Sequence, residues 1–397
     1  MIITARRLFD GSGSAMAEDA AVIVRRDRID WVGHARDLAE PPAESRLDLG
    51  DVTLLPGLID MHNHLRISHA EGELPRQMRD SDVAYVLHGV RLLEINLRSG
   101  VTTMKMNGDR AFLDVQMREA LKAGLARGPR LFVAGKGIKS SRCTGGVVAT
   151  AICDGPQAIR RAVRENVEGG ADFIKIFASG RILGPREEVL RPAYSPDEIQ
   201  AAAEEAHGNG RMIVAHCHGG PAADACIQAG VDILEHGWLL SREQMARMAD
   251  RGTWLCITLG VLLHPHGHLE QHLRGPEGNA VRQRLDEIQE TMAGALASGV
   301  RYVLGTDAVH GCLAFELQVL ERLGGRPTDL LRAATALAAE ALGRVDDLGI
   351  AKPGAYADLI AVQGNPLTSL SGLDRVTWVM QGGQVQWPVA QDQTAAW

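Results

Sequence analysis

The chain lacks any C-x-x-C pair and any dense cysteine framework: its six cysteines, Cys143, Cys153, Cys217, Cys226, Cys256 and Cys312, are scattered. That excludes a small disulfide-stapled scaffold and predicts reduced thiols in a reducing compartment. Cys217 alone invites attention, because it stands between two histidines. Long apolar runs are also missing. None reaches the roughly 18 to 20 residues of a membrane span, Asp10 interrupts the first apolar stretch, and no charged-then-apolar signal opens the chain. The expected location is the cytoplasm, with no membrane partner. Positive charge is not in excess either. A formal net charge of −7 argues against a protein built to neutralise phosphate backbones, so nucleic acid is not an expected partner. Internal repeats, low-complexity tracts and linkers long enough to separate independent domains are absent as well.

What remains is a chain of 397 residues, 45% apolar and 23% charged, long enough to bury a large core. Residues 1 to about 56 hold short β-type pieces such as Ala21-Val22-Ile23-Val24 and Ile29-Asp30-Trp31-Val32, broken by Gly11, Gly13 and Gly33. Apolar runs then alternate with amphipathic stretches, as repeated βα units do. The run before His62 and those at 101–105, 130–134, 173–177, 212–216, 233–236, 254–257 and 302–307 make eight strands. Helices are expected at Pro156 to Gly169, Pro196 to Asn209 and Ser241 to Arg251, with Ser195 and Ser241 as N-caps. An eight-stranded (β/α) barrel is the economical fold. A long alanine-rich helix is expected from Thr328 to Leu342, stopped by Gly343. Strand patterns return at Pro353 to Val362 and as a hairpin over Val376 to Val385, which would pair with the N-terminal pieces in one sheet. The domains expected are 1–56 with 350–397, and 57–349.

Metal-binding side chains sit at the ends of these apolar runs: His62 and His64, Lys175, His216, His236 and Asp307. Period two along a strand points both imidazoles of His62-Asn63-His64 the same way. Lys175, in Phe173-Ile174-Lys175-Ile176-Phe177, is flanked by apolar residues and so is expected to be buried. A buried, unpaired ammonium loses its proton readily, and the free amine can take up carbon dioxide to become a two-oxygen carbamate able to bridge two cations. Taken singly, the lysine reads equally as the partner of a buried carboxylate, the histidines as core residues and Asp307 as a helix N-cap. The ordered set of six reads as a binuclear metal site. His218, in Val214-Ala215-His216-Cys217-His218, shares the face of His216 further into the loop, where it would touch substrate.

These segments, namely Pro56 to His64, Gly170 to Lys175, Val214 to Gly219, Glu235-His236-Gly237, Gly305 to Ala308 and Pro353 to Leu359, resemble the amidohydrolase superfamily over nearly the whole chain. Within it the chain is most similar to the imidazolonepropionase-related, prolidase-like branch of zinc peptidases and amide hydrolases. The resemblance implies a distorted (β/α)8 TIM barrel with a small β-sandwich from both termini. It implies that His62, His64 and Asp307 hold one metal ion, that carboxylated Lys175 bridges, and that His216 and His236 hold the second. The cofactors implied are two divalent ions, zinc first among them. A metal-bridging hydroxide would attack an amide carbonyl, with Asp307 carrying the proton to the leaving nitrogen and His218 steadying the oxyanion. The expected substrate is a small-molecule amide: an N-acyl amino acid, a dipeptide or an amide-type xenobiotic. A homo-oligomer is expected, since relatives often are.

Departures from the branch pattern bear on the substrate. Cys217 replaces the alanine of His-Ala-His-Gly, and Arg181 replaces the second glycine of Gly-Gly. The stretch Thr258 to His268 lacks the tyrosine expected to bind a peptide's terminal carboxylate, which weighs against dipeptidase activity. His264, His266 and His268 read as loop residues near the mouth, and Lys139, Arg142 and Arg181 as solvated loop charges that could also meet an acidic substrate group. Two rivals stand beside the binuclear amidohydrolase. A mononuclear aminohydrolase would lack the bridging lysine and carry an acidic residue where His218 and Gly219 stand. A non-catalytic barrel scaffold would have lost ligands.

Overall fold

The structure is a computed structural model describing residues 1–38, 45–72, 74–143, 146, 148–182, 185–267, 279 and 281–388. In chain order the strands are β1 (Ile2–Leu8), β2 (Ala17–Arg25), β3 (Arg28–His34), β4 (Arg46–Asp48), β5 (Val52–Pro56), β6 (Leu58–Asn63), β7 (Val101–Met106) and β8 (Arg130–Val133). There follow β9 (Ile138–Lys139), β10 (Ala151–Ile152), β11 (Ile174–Phe177), β12 (Ile213–Gly219), β13 (Ile233–Leu239), β14 (Trp254–Ile257) and β15 (Tyr302–Leu304). The last three are β16 (Leu359–Gln363), β17 (Val376–Gln381) and β18 (Gln384–Trp387). The chain forms two compact units. One comprises Met1–Asp60, Glu94–Thr103 and Gly311–Trp397, the other Met61–Leu93 and Met104–His310.

In the first unit, both chain ends build one mixed sheet in the order β18-β17-β16-β5-β1-β2-β3, with β4 beside β1. The seam between the ends is the antiparallel pairing of β5 with β16, Leu55 opposite Ile360. Alternate residues Ile3 and Ala5, Val22 and Val24, Leu359 and Ala361, Trp378 and Met380 share one apolar core, as the two-residue period of a strand dictates. This is the small β-sandwich of the fold. Two expectations change in detail. The strand expected from Pro353 begins only at Leu359, because Gly354 has φ 90° and opens a turn. The helix expected over Thr328 to Leu342 is two helices, Pro327–Ala333 and Ala336–Ala341. It breaks because the Ala334 carbonyl accepts from the Ile59 N–H at 2.8 Å instead of from its own helix. The Thr335 hydroxyl meanwhile donates back to the Leu331 carbonyl at 2.6 Å.

In the second unit the expected strands β11 to β15 run parallel and in sequence order. The turn of the barrel continues through backbone bonds: Asp172 N–H to Val133 O at 2.7 Å joins the β11 entry to β8, and Asn107 N–H to Asn63 O at 2.8 Å joins the ends of β7 and β6. Thr306 and Asp307 both donate to the His62 carbonyl, at 3.1 and 2.8 Å, which brings the β15 end against the β6 end. Gly305 makes that approach possible. A Cβ there would lie 2.4 Å from the His62 Cβ and 2.6 Å from its backbone nitrogen, so no larger residue fits. The helices start as their sequences direct. Ser195 and Ser241 each form a capping box, with Glu198 and Gln244 respectively. Ser195→Ala removes one reciprocal cap from Pro196–Gly208 and should lower stability by about 1 kcal/mol in a denaturant titration. An unchanged midpoint would show that the cap is not engaged.

Candidate metal centre

All seven residues singled out in the sequence lie in the second unit, on or just beyond strand ends. His62 is on β6 with His64 one residue past it, Lys175 on β11, His216 and His218 on β12, and His236 on β13; Asp307 follows β15 by three residues. His62, His64 and Asp307 converge: Nε2 of His62 and of His64 lie 3.5 and 3.4 Å from Asp307 Oδ1. The rings of His62, His216 and His218 surround His236, with centroids 4.8, 4.7 and 5.3 Å away. The backbone is left-handed at His236 (φ 74°), Asp307 (φ 47°) and Ala308 (φ 71°), a conformation that side chains adopt where a site demands it.

Hydrogen bonds behind the rings fix where their lone pairs point. His62 Nδ1 lies 2.5 Å from Glu235 Oε2, and His64 Nδ1 lies 3.3 Å from the Gly108 carbonyl oxygen. These acceptors hold the Nδ1 protons, so both Nε2 lone pairs face one carboxylate oxygen. Three electron-rich atoms at that spacing call for a cation among them. His216 Nε2 lies 3.2 Å from the Gly180 carbonyl oxygen, leaving its Nδ1 as the free donor atom. Burial, with the Lys175 charge next, lowers the His216 pKa to about 4. Burial likewise lowers His62 to about 4 against the pull of Glu235 and Asp307, and holds His218 and His236 well below their ordinary value. Neutral imidazole is the ligating form. Asp307, partly exposed, stays ionised: desolvation works against it, but His62, His64 and His236 together hold its pKa well below the carboxylate range.

Lys175 is 1% exposed, and its Nζ has no hydrogen-bond partner among the described residues. Burial, reinforced by the Lys105 charge against the pull of Glu235 and Asp307, lowers its pKa to about 8. Its charge reaches both His62 and His216, so it stands within electrostatic range of both histidine groups. The donor set therefore fits a metal centre: neutral imidazoles, an ionised carboxylate and an orphaned amine.

Two residues with consequences for the site went unnoticed in the sequence. Lys105, 0% exposed on β7, donates to Glu235 Oε1 at 2.6 Å and to Asn107 Oδ1 at 2.7 Å. Glu235, 0% exposed on β13, joins Lys105 to His62. Burial opposes its charge, but Lys105, His62 and Lys175 outweigh that and depress its pKa. Met104-Lys105-Met106 and Leu234-Glu235-His236 carried the same signal as Lys175, a charge within an apolar strand. His62, Glu235 and Cys256 also have ligand atoms within 4.8 Å of one another, but the Lys105 ammonium already neutralises Glu235 there.

The remaining residues divide plainly. Cys217 is buried and faces Cys226, whose thiol pKa is pushed up by that hydrogen bond and by burial. His264 Nδ1 accepts from the His266 N–H at 3.1 Å within its own loop, and His268 lies outside the described residues. Arg142 and Arg181 are exposed, Arg142 donating to the Ala193 carbonyl at 3.1 Å, and Lys139 Nζ lies 3.4 Å from the Gly146 carbonyl.

Two predictions follow from this electrostatic arrangement. Lys105→Met leaves Glu235 buried without its ammonium and should cost about 3 to 5 kcal/mol in equilibrium unfolding; a loss under about 1 kcal/mol would mean the pair is dispensable. In metal-free protein, His62 and His216 titrate near 4 when folded and near 6.5 when unfolded, so the unfolded chain binds more protons between those values. Stability must then rise with pH across that window and fall on acidification through it. A melting temperature independent of pH from 7 to 4.5 would contradict these shifts.

The amidohydrolase family model matches residues 53–385. Ochratoxinase of Aspergillus niger is 28% identical over 422 aligned positions, covering 97% of this chain and 86% of that protein. Its crystal structure superposes with a TM-score of 0.86 at 26% identity, over 97% of this chain and 94% of that one. A Xaa-Pro dipeptidase structure with bound methionine in the active site is similar to the same degree, with TM-score 0.85 and 28% identity over 97% of this chain and 98% of that one. Imidazolonepropionase of Cutibacterium acnes is 24% identical, covering 87% of this chain and 84% of that protein. With its barrel, its terminal sheet and its strand-end histidines, the chain belongs to the amidohydrolase family and is a hydrolase acting on carbon–nitrogen bonds.

Proposed function

We propose that the chain is a binuclear metal-dependent amidohydrolase that cleaves the amide bond of a small molecule. The observation that carries this reading is the Lys175 amine, buried without a partner and within electrostatic range of both histidine groups. As a carbamate it becomes a two-oxygen anion. His62, His64 and Asp307 would hold one ion and His216 and His236 the other, with carboxylated Lys175 between them. Two divalent cations, zinc being the natural choice for this nitrogen and oxygen set, would lower the pKa of water and polarise the amide carbonyl there.

The chain's own groups supply the proton traffic. Asp307 is ionised and partly exposed, at 22% of its side-chain surface, so it can accept a proton from the attacking water and deliver it to the leaving nitrogen. His218 is neutral, and neither ring nitrogen has a partner among the described residues, so its N–H is free to donate to the developing oxyanion. Glu235 keeps His62 in one tautomer and Lys105 keeps Glu235 charged. Beside the centre, Phe177 stacks on His216 at 5.3 Å and forms an apolar cluster with Ile67, Val148, Ala149 and Ala308. That wall suits an apolar substituent on the substrate. An N-acyl amino acid, a dipeptide or an amide-type xenobiotic are the substrate classes that meet these conditions, and ochratoxinase and the Xaa-Pro dipeptidase are relatives of that kind.

A mononuclear aminohydrolase is the rival, favoured by the similarity to imidazolonepropionase. It gives no role to an orphaned lysine, and His218 and Gly219 stand where it needs an acid. Metal analysis with a library of amides, amino-heterocycles and cyclic amidines separates the two: two ions per chain with amine release supports the proposal, one ion with ammonia release or ring opening supports the rival. Lys175→Ala should lose metal and lower kcat/KM by more than about a hundredfold, with partial rescue by short carboxylic acids. Turnover near wild type in that variant would refute the bridging role.

A further inference from the structure

Each histidine of the metal set is held from behind by one partner, and three of those partners can only accept. His62 Nδ1 faces the ionised Glu235 carboxylate at 2.5 Å, His64 Nδ1 the Gly108 carbonyl at 3.3 Å, and His216 Nε2 the Gly180 carbonyl at 3.2 Å. The fourth is different. His236 Nδ1 lies 2.8 Å from Thr258 Oγ1, and a hydroxyl can accept or donate. Thr258 follows β14 directly and is 0% exposed, and His236 is the one hydrogen-bond partner of its hydroxyl among the described residues. The next acceptor near that nitrogen, Asp307 Oδ2, is 3.9 Å away, outside hydrogen-bond reach.

Strand geometry alone does not aim this ring. Glu235 and His236 are neighbours on β13, and the period of two would send their side chains to opposite faces, yet Glu235 already faces His62. The left-handed backbone at His236, φ 74°, breaks the alternation, and its ring stands 4.8 Å from that of His62 and 4.7 Å from that of His216. A ring turned out of register in this way is aimed by its hydrogen bond to Thr258. That residue reaches the ring because it shares a strand face with Cys256, whose sulfur lies within 4.8 Å of ligand atoms of His62 and Glu235.

We propose that Thr258 is the positioning residue of His236: its hydroxyl accepts the Nδ1 proton and so leaves Nε2, with its lone pair, as the ligating nitrogen. The proposal rests on the binuclear reading of the centre. His216 is held the opposite way, with its proton on Nε2, so the two histidines assigned to the second ion ligate through different ring nitrogens. A threonine hydroxyl that turns to donate instead leaves the His236 proton on Nε2 and removes that lone pair. The ion assigned to His216 and His236 therefore depends on Thr258. The ion at His62, His64 and Asp307 does not.

The test uses the full chain with zinc as the probe. Nitrogen-15 NMR of histidine-labelled, zinc-loaded protein should show the His236 proton on Nδ1 and the His216 proton on Nε2. Zinc titrated in competition with a chromogenic chelator should give two ions per wild-type chain. Thr258→Val keeps the shape and removes the hydroxyl; it should weaken one ion by about tenfold to a hundredfold, as loss of the partner behind a ligating histidine does, and change the other by less than about twofold. Thr258→Ser should hold both ions within about threefold of wild type, and with the wild-type spectrum it reads the hydrogen bond even where the valine variant folds poorly. A His236 proton on Nε2 in the loaded wild type, wild-type affinity for both ions in the valine variant, or equal loss of both from a folded valine variant would overturn the assignment and leave Thr258 a packing residue. Wild type that takes up at most one zinc ion would overturn the binuclear reading and this proposal together.

Discussion

A lysine amine held in a protein interior without a hydrogen-bond partner among the described residues is the constraint from which the rest of this site is read. Burial lowers the pKa of Lys175 to about 8, and no hydrogen-bonding partner for its amine stands among the described residues. The contrast with Lys105 is instructive. Both lysines sit on barrel strands with apolar neighbours on either side, yet Lys105 has Glu235 and Asn107 within 2.7 Å and Lys175 has neither. One is a finished ion pair. The other is a buried amine beside neutral imidazoles, with no hydrogen-bond partner among the described residues.

The ion pair matters to the site through His62. Glu235 fixes the imidazole by its Nδ1 and so directs Nε2 toward Asp307, while Lys105 prevents Glu235 from becoming an unpaired buried charge. A chain of three side chains from β7, β13 and β6 thereby converts backbone geometry into ligand orientation. The glycine at 305 and the left-handed residues at 236 and 307 serve the same end by letting strand ends approach and turn. His218 lies two residues beyond His216 on the same strand, next to the ring of His236 on the neighbouring one.

Much of this was legible in the sequence because strand-end histidines obey a period of two and because charge inside an apolar strand is unusual. The places of His62, His64, His216, His236 and Asp307 on or beside strands were read from the apolar pattern, and the helix caps at Ser195 and Ser241 from local chemistry. What stayed hidden depends on contacts far apart in the chain. Lys105 and Glu235 are 130 residues apart, and neither reveals its partner locally. The stacking of Trp238 on His218 joins two strands and has no local sign in the sequence. The break at Ala334 is set by a backbone donor at Ile59, which no helix propensity records.

The most direct measurement is 13C NMR of metal-loaded enzyme prepared with labelled bicarbonate, combined with metal analysis of the same sample. The account predicts one carbamate carbon and two ions per chain. An active enzyme with a free lysine amine and no more than one ion would contradict it.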